Sequence, residues 1–271
     1  MAVPVVKLDQ GIHVMHLFYR VDRTVWDDQL DGVTANVKSS LESLLSAHPN
    51  ACQPRIVPYV NVGGKADLAF IIYAEELGKL SQLHRELELC FPPDAIDLVY
   101  SYLSVTELPD YVTSEDDLKR MIIGKENLEE GTDEFAARLN VYKEKQKEYQ
   151  HYRLYPELPD WEVMGFYPMT KRRSGADNWY SLDFDTRKEL MAGHAKVGRT
   201  YAGRISQLIT GSTGLDDWEW GVTLMAHQVD ALKEIVYEMR FDEVSARYGE
   251  FGPFYVNMRM DIPDIWDHLK L

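Results

Sequence analysis

Cationic charge is what this chain has least of. Its 29 lysines and arginines face 44 acidic residues, for a formal charge of −15 and an isoelectric point near 4.9. Nucleic acid and anionic membrane surfaces need a cationic footprint, so neither is expected as a partner. Cysteine is almost missing. Cys52 and Cys90 form no CxxC pattern, leave room for at most one disulfide, and suit a reducing compartment. No apolar run approaches the ~18 residues of a membrane span. The opening MAVPVVKLDQG has neither the cationic start nor the apolar core of a secretory signal. A cytoplasmic location is therefore expected. Zinc spacings are also lacking: there is no HExxH, and His13 and His16 fall on opposite faces of a strand by parity. What is there is 271 residues, 45% apolar and 27% charged, enough to bury a core in one large domain or two modest ones.

The pattern along the chain repeats once. IHVMHLFYRV (12–21) alternates as a half-buried strand, and 24–47 carries Leu30, Val33, Val37, Leu41, Leu44 and Leu45 at helical spacing. PRIVPYVNVG (54–63) and ADLAFIIYA (66–74) make a strand pair across Gly63-Gly64, then 75–90 predicts a helix and 95–108 a strand. That order, βαββαβ, is the ferredoxin-like unit. The second copy runs as strand 160–171, helix 184–199 with Asp185 or Thr186 at its N-cap, strands 203–212 and 218–226, helix 227–238 and strand 253–260. The expected class is α+β, with two tandem ferredoxin-like modules, their sheets face to face, forming a barrel. The expected division is 1–110, a charged helical connection at 111–158, and 159–271. A connection that long implies structure of its own or contact with a site. Its acidic stretch at 113–135 reads as a solvated surface or lid.

One short segment runs against the acidic background. In GFYPMTKRR (165–173) a tyrosine precedes a proline, and Lys171, Arg172 and Arg173 follow. Pro168 holds Tyr167 in extended backbone. Lys171, four residues on, shares its strand face. By itself a Tyr-Pro pair reads better as a core tyrosine with its hydroxyl satisfied. Arg172 and Arg173 read as solvated loop charges. Trp218 and Trp220 share a strand face by parity and read as packing residues.

From about 153 to 257 the chain resembles the chlorite dismutase superfamily, nearest its coproheme decarboxylase branch. The runs that carry the resemblance are FYPMTKRR, NWY, YAGRISQLITGSTGLDDWEWGVTL and YEMRFDEVSARYGEFGPFYV. The resemblance implies haem in the second module only, with His194 as the axial iron ligand. The local run GHAKVGR departs from the Ser-His-Gly-Met-Thr-Gly-Arg type. Tyr167 is implied as the catalytic residue, a phenol that is oxidised to a radical and takes a hydrogen atom from the substrate. Gln207 stands where chlorite-splitting relatives carry an arginine, which disfavours dismutation. Four propionates on coproporphyrin call for cations, and the implied holders are Arg153, Lys171, Arg240 and Ser245, with Tyr102 and Ser104 as weaker carry-overs.

The implied function is oxidative decarboxylation of iron-coproporphyrin III to haem b by hydrogen peroxide, with coproheme as both substrate and redox centre. No other metal is expected. The implied partners are coproheme, peroxide, four further copies in a homopentamer and, transiently, coproporphyrin ferrochelatase. A haem b peroxidase or chlorite dismutase on the same fold, or a non-catalytic haem carrier or sensor, are the alternatives. Trp179 and Trp218 are further oxidisable residues near such a site.

Overall fold

The two periods of the sequence, near 2 in the strands and 3.6 in the helices, become two modules in a computed structural model that describes residues 4–49 and 53–271. The first contains β1 (His13–Val21), α1 (Arg23–Asp27), α2 (Asp31–Ala47), β2 (Arg55–Val62), β3 (Leu68–Ala74), α3 (Leu77–Leu89) and β4 (Ile96–Thr106). The connection holds α4 (Glu115–Met121) and α5 (Asp133–Leu154). The second module contains β5 (Val163–Lys171), α6 (Phe184–Arg199), β6 (Ile205–Gly211), β7 (Trp220–Ala226), α7 (Val229–Met239), β8 (Gly249–Phe251) and β9 (Tyr255–Arg259), and α8 (Ile262–Leu269) follows.

Each module orders its strands in the ferredoxin-like way, β4-β1-β3-β2 and β6-β7-β5-β9. The two sheets do not merely face each other; they join at both edges. β2 pairs with β9 from Tyr59↔Arg259 to Val62↔Val256, and β4 pairs with β6 through Val105↔Gly211 and Thr106↔Thr210. Every pairing is antiparallel, and with β5–β7 the ring closes into an eight-stranded barrel, while β8 extends one end of β5. At the first seam Asn61 donates to the Asn257 side-chain oxygen (2.8 Å), and Asn257 donates to the Met164 carbonyl (3.2 Å). Satisfied buried amides of this kind pin strand register.

Alternation then sorts the side chains. Val14, Phe18, Tyr59, Tyr73, Tyr102, Phe166 and Tyr255 fill the barrel interior. The outer face of the first module carries Leu17, Tyr19 and Val21 under α2 and α3. α8 belongs to this core as well. Its Ile265, Trp266 and Leu269 are buried there, and Trp266 stacks on Trp26 of α1 at 5.7 Å. The outer face of the second module carries Tyr167, Val222 and Leu224 under α7.

Three local expectations are corrected. The single helix over 24–47 is two, because Leu30 adopts extended backbone (φ −70, ψ 146) between α1 and α2. The N-cap of α6 is Asp183, whose carboxylate accepts from the Thr186 amide at 2.9 Å, rather than Asp185 or Thr186. Trp218 and Trp220 do not share a face: Trp218 precedes β7 and packs on the barrel interior, while the Trp220 indole donates to Glu107 outside it. The connection has its own core of Leu118, Ile122, Phe135 and Leu139, and Asp117 of α4 reaches Lys188 of α6 at 2.8 Å. Cys90 is a free thiol, and the disulfide expectation rests also on Cys52, which lies outside the described residues. Among the described residues no helix is long and apolar enough to cross a membrane.

The core can be tested at two residues. Trp266→Ala removes the stacked anchor of α8 and should cost about 3–5 kcal/mol in urea unfolding; a loss under about 1 kcal/mol would mean α8 is peripheral. His16 sits inside the barrel, fully buried, stacked on Phe166 at 4.2 Å and 2.8 Å from the Thr223 hydroxyl. Burial pushes its pKa down from 6.5 to about 3. The folded imidazole stays neutral while the unfolded one takes up a proton, so its contribution is complete above about 6.5 and declines as pH falls toward about 3. As pH falls through that window, the stability of His16→Phe relative to wild type should rise by up to about 1.4 kcal/mol per pH unit. A pH-independent difference in paired urea titrations would remove His16 from the account.

Candidate functional site

The outer face of the second module differs from that of the first in one respect. α2 buries Val37, Leu41 and Leu45 against its sheet, whereas α6, the corresponding helix, has no buried residue. α6 forms because Asp183 caps its first turn, and Lys196 and Arg199 lie in its last, where they suit the helix dipole. It approaches the sheet closely at Gly198. A Cβ there would lie 3.2 Å from Met239 Cε and 3.6 Å from Gln207 Nε2. A larger residue at 198 would require the end of the Met239 side chain to give way.

His194 lies one turn before Gly198. Its Nδ1 is 3.0 Å from Asp242 Oδ2, and its side chain is 27% exposed. Asp242 accepts from the amides of Val244 (2.9 Å) and Ser245 (3.4 Å). Burial alone would raise the Asp242 pKa, but hydrogen bonds from His194 and Ser245 outweigh it and hold the carboxylate below its usual range. An imidazole held this way at Nδ1 is fixed in tautomer and direction, and Nε2 is left for another partner. The hydroxyl of Ser245 lies near enough to Asp242 to favour its ionised form as well. Ser245 thus lies against the His194–Asp242 pair.

Tyr167 projects from β5 on this face, buried, with its ring 4.5 Å from Phe254 and 5.8 Å from Phe251. Burial raises the phenol pKa, with Arg240 opposing, so the hydroxyl keeps its proton. Arg240 caps α7 and lies over the Phe251 ring at 5.0 Å, with no ion pair among the described residues. Lys171, at the end of β5, is 8% exposed, and its ammonium lies 4.9 Å from the Trp179 ring. Desolvation lowers its pKa to about 8 although Asp242 and Glu219 pull it upward. Gln207 shares the outward parity of Ile205 and Ile209 on β6. Arg153 of α5 donates to the carbonyls of Glu107 (3.4 Å) and Ile209 (3.5 Å), while its buried Nε has no partner. Arg172 pairs with Glu250 and Asp177 outside the cluster, as a loop charge would.

Tyr102 and Ser104 do not join this group. Both are fully buried on the inward face of β4, where the Tyr102 hydroxyl donates to the Trp218 carbonyl and Ser104 to that of Val14, each at 3.3 Å. The barrel wall stands between them and α6, so neither reaches a ligand there. Sequence reasoning missed Asp242 and Glu219. Asp242 meets His194 across 48 residues, a tertiary contact with no local spacing to reveal it. Two open grooves, of about 350 and 540 Å³, lie elsewhere, one beside Tyr19 and Phe91 and the other beside Glu162 and Asp264. Neither includes a residue of the cluster.

Comparison with known proteins agrees with the fold. The structure is similar to that of a haem-binding protein from Thermus thermophilus, with 35% identity, 100% of this chain and 99% of that chain covered, and a TM-score of 0.78. A putative chlorite dismutase shares 20% identity over 96% of this chain and 99% of that one, with a TM-score of 0.65. Chlorite dismutase from Candidatus Nitrospira defluvii in complex with imidazole shares 16% identity over 97% of each chain, with a TM-score of 0.69. At such identities the last two speak for the fold alone. The family model for chlorite dismutase matches residues 34–260, and on that match, with the closed barrel and its full-length haem-binding relative, the chain belongs to the chlorite dismutase family.

Proposed function

We propose that this protein binds iron-coproporphyrin III on the outer face of its second module and converts it to haem b with hydrogen peroxide. The observation that carries the reading is His194, oriented by Asp242 on a helix that buries none of its residues, above a face holding Tyr167. The donor set suits a propionate-bearing iron porphyrin: an imidazole with Nε2 left over, a buried lysine, and two arginines with donors unspent. The haem-binding relative supports a porphyrin ligand, and the cations support the form with more carboxylates.

In this reading His194 holds the iron, while Lys171, Arg153 and Arg240 hold propionates. Bound iron porphyrin supplies peroxide cleavage and one-electron oxidation. Gln207 offers a neutral amide to peroxide, and the lack of a positive charge there leaves chlorite without its counter-ion. Tyr167 keeps its hydroxyl hydrogen until it is oxidised, and its oxygen then takes a hydrogen atom from the β-carbon of a propionate. With loss of one further electron to the oxidised site, the carboxylate departs as carbon dioxide and a vinyl group remains. For each propionate one peroxide becomes two waters and one proton is taken up. The same proposal includes a ring of five chains, a cytoplasmic setting and a passing encounter with coproporphyrin ferrochelatase.

Adding coproheme to the apoprotein, titrating peroxide and weighing the porphyrin by mass spectrometry tests the reading. Wild type should lose two carboxyl groups in sequence. Tyr167→Phe should fold and bind coproheme yet yield neither the three-propionate species nor haem b. Normal haem b yield from that variant would displace Tyr167 and direct attention to Trp179 or Trp218. Binding without any peroxide-dependent mass loss in wild type would make the protein a haem carrier.

Removing a propionate-holding cation should hurt coproheme more than haem b, which has two fewer carboxylates. Lys171→Met, Arg153→Ala or Arg240→Ala should each weaken coproheme binding by about 1.5–3 kcal/mol, roughly 10- to 150-fold. Equal losses for both porphyrins would show these residues to be structural.

A further inference from the structure

A carboxylate sits beside the lysine that the proposed function assigns to a propionate. Glu219 is buried, 6% exposed, immediately before β7. The β5–β7 ladder ends at Met169↔Trp220, where the Glu219 amide still donates to the Met169 carbonyl at 3.1 Å. Beyond that point the Lys171 amide has no strand on this side to meet it. The side chain of Glu219 fills the gap, accepting that N–H through Oε2 at 2.8 Å. A buried amide must find an acceptor, and here the acceptor carries a full charge.

The turn after β5 closes over the pair. Trp179 is 5% exposed and presents its ring to the Lys171 ammonium, and its amide donates to the Arg172 carbonyl at 2.9 Å. The next residue, Tyr180, brings its hydroxyl toward the Glu219 carboxylate, and burial together with that carboxylate raises the phenol pKa. One aromatic residue therefore covers the cation and its neighbour engages the anion. Two carboxylates act on Lys171, Glu219 from the strand side and Asp242 from the end of α7, and Arg173 lies beyond Tyr180. Asp242 is already committed to His194 and Ser245. Glu219 is the one of the two that also holds the Lys171 backbone.

We propose that Glu219 is a positioning residue: it fixes the end of β5 and keeps Lys171 charged and aimed in a desolvated pocket before an anionic ligand arrives. The inference rests on the porphyrin reading for the ligand, but not for the pairing. It also accounts for a buried acid inside a site built for carboxylates. Without Glu219, Asp242 alone would oppose the burial that favours a neutral lysine, and an uncharged amine cannot hold a propionate.

The test uses the full chain without iron. Reductive ¹³C-methylation of lysines gives an NMR signal for Lys171, identified by its loss in Lys171→Arg. Metal-free coproporphyrin III is the binding probe, read by fluorescence. In wild type Lys171 should titrate near 8, with coproporphyrin affinity falling as pH rises through the same range. In Glu219→Gln that midpoint should move down by about one pH unit, a tenfold loss of proton affinity, and the decline in affinity should move with it. In Glu219→Asp, which keeps the charge on a shorter arm, the Lys171 amide should exchange with solvent faster and coproporphyrin affinity at pH 7 should fall at least severalfold. That variant also serves should Glu219→Gln fail to fold. An unmoved Lys171 titration in folded Glu219→Gln, or unchanged exchange and affinity in Glu219→Asp, overturns the inference. Failure of the wild type to bind coproporphyrin at any pH instead overturns the functional reading on which the ligand rests.

Discussion

A β-strand has two faces, and closing eight of them into a ring commits one face of each to a sealed interior. Everything else in this molecule is arranged around that commitment. The interior is filled by rings from both modules, so neither half can shift without opening the other. Chemistry is left to the outer faces, where helices decide what is covered. On the first module four helices cover the sheet with apolar side chains. On the second, α7 covers part of it and α6 stands over the remainder without burying a residue. The duplicated plan thus yields one face closed by apolar side chains and one only partly covered.

The electrostatics follow the same division. Across an acidic chain, scattered cations are neutralised by surface partners such as the Arg247–Asp177 and Arg204–Glu234 pairs, which are worth little individually. Lys171 is different because it is out of water, where its charge persists only if nearby carboxylates support it. Asp242 serves two masters, orienting His194 and adding to the field at Lys171, so the two ends of the site are electrically linked.

Much of this was legible in the sequence. The βαββαβ order repeats because alternation and helical spacing survive even where residues differ, and parity correctly set Tyr167 and Lys171 on one face. Parity also could have warned against Tyr102 and Ser104. Their family likeness suggested a ligand contact, but register with β1 turns even-numbered residues of β4 inward. The helix break at Leu30 was hidden because its apolar side chain fits the periodic pattern, while its backbone does not. Asp242 and Glu219 were invisible for another reason. Each acts on a residue brought near only by folding, and among 44 acidic residues nothing local distinguishes them.

The placement of α8 bears on how the chain acquires its shape during synthesis. A ribosome delivers the first module long before Ile265, Trp266 and Leu269, yet those side chains complete that module's core. Until they emerge, Trp26 and the outer face of β1 lack their cover, and the strand edges destined for β6 and β9 are unpaired. Domain-by-domain maturation, the usual course for tandem modules, would leave this first half without part of its core and its edge partners. The nascent first half exposes apolar surface and open strand edges, and is the stage at which a chaperone would find the most to hold.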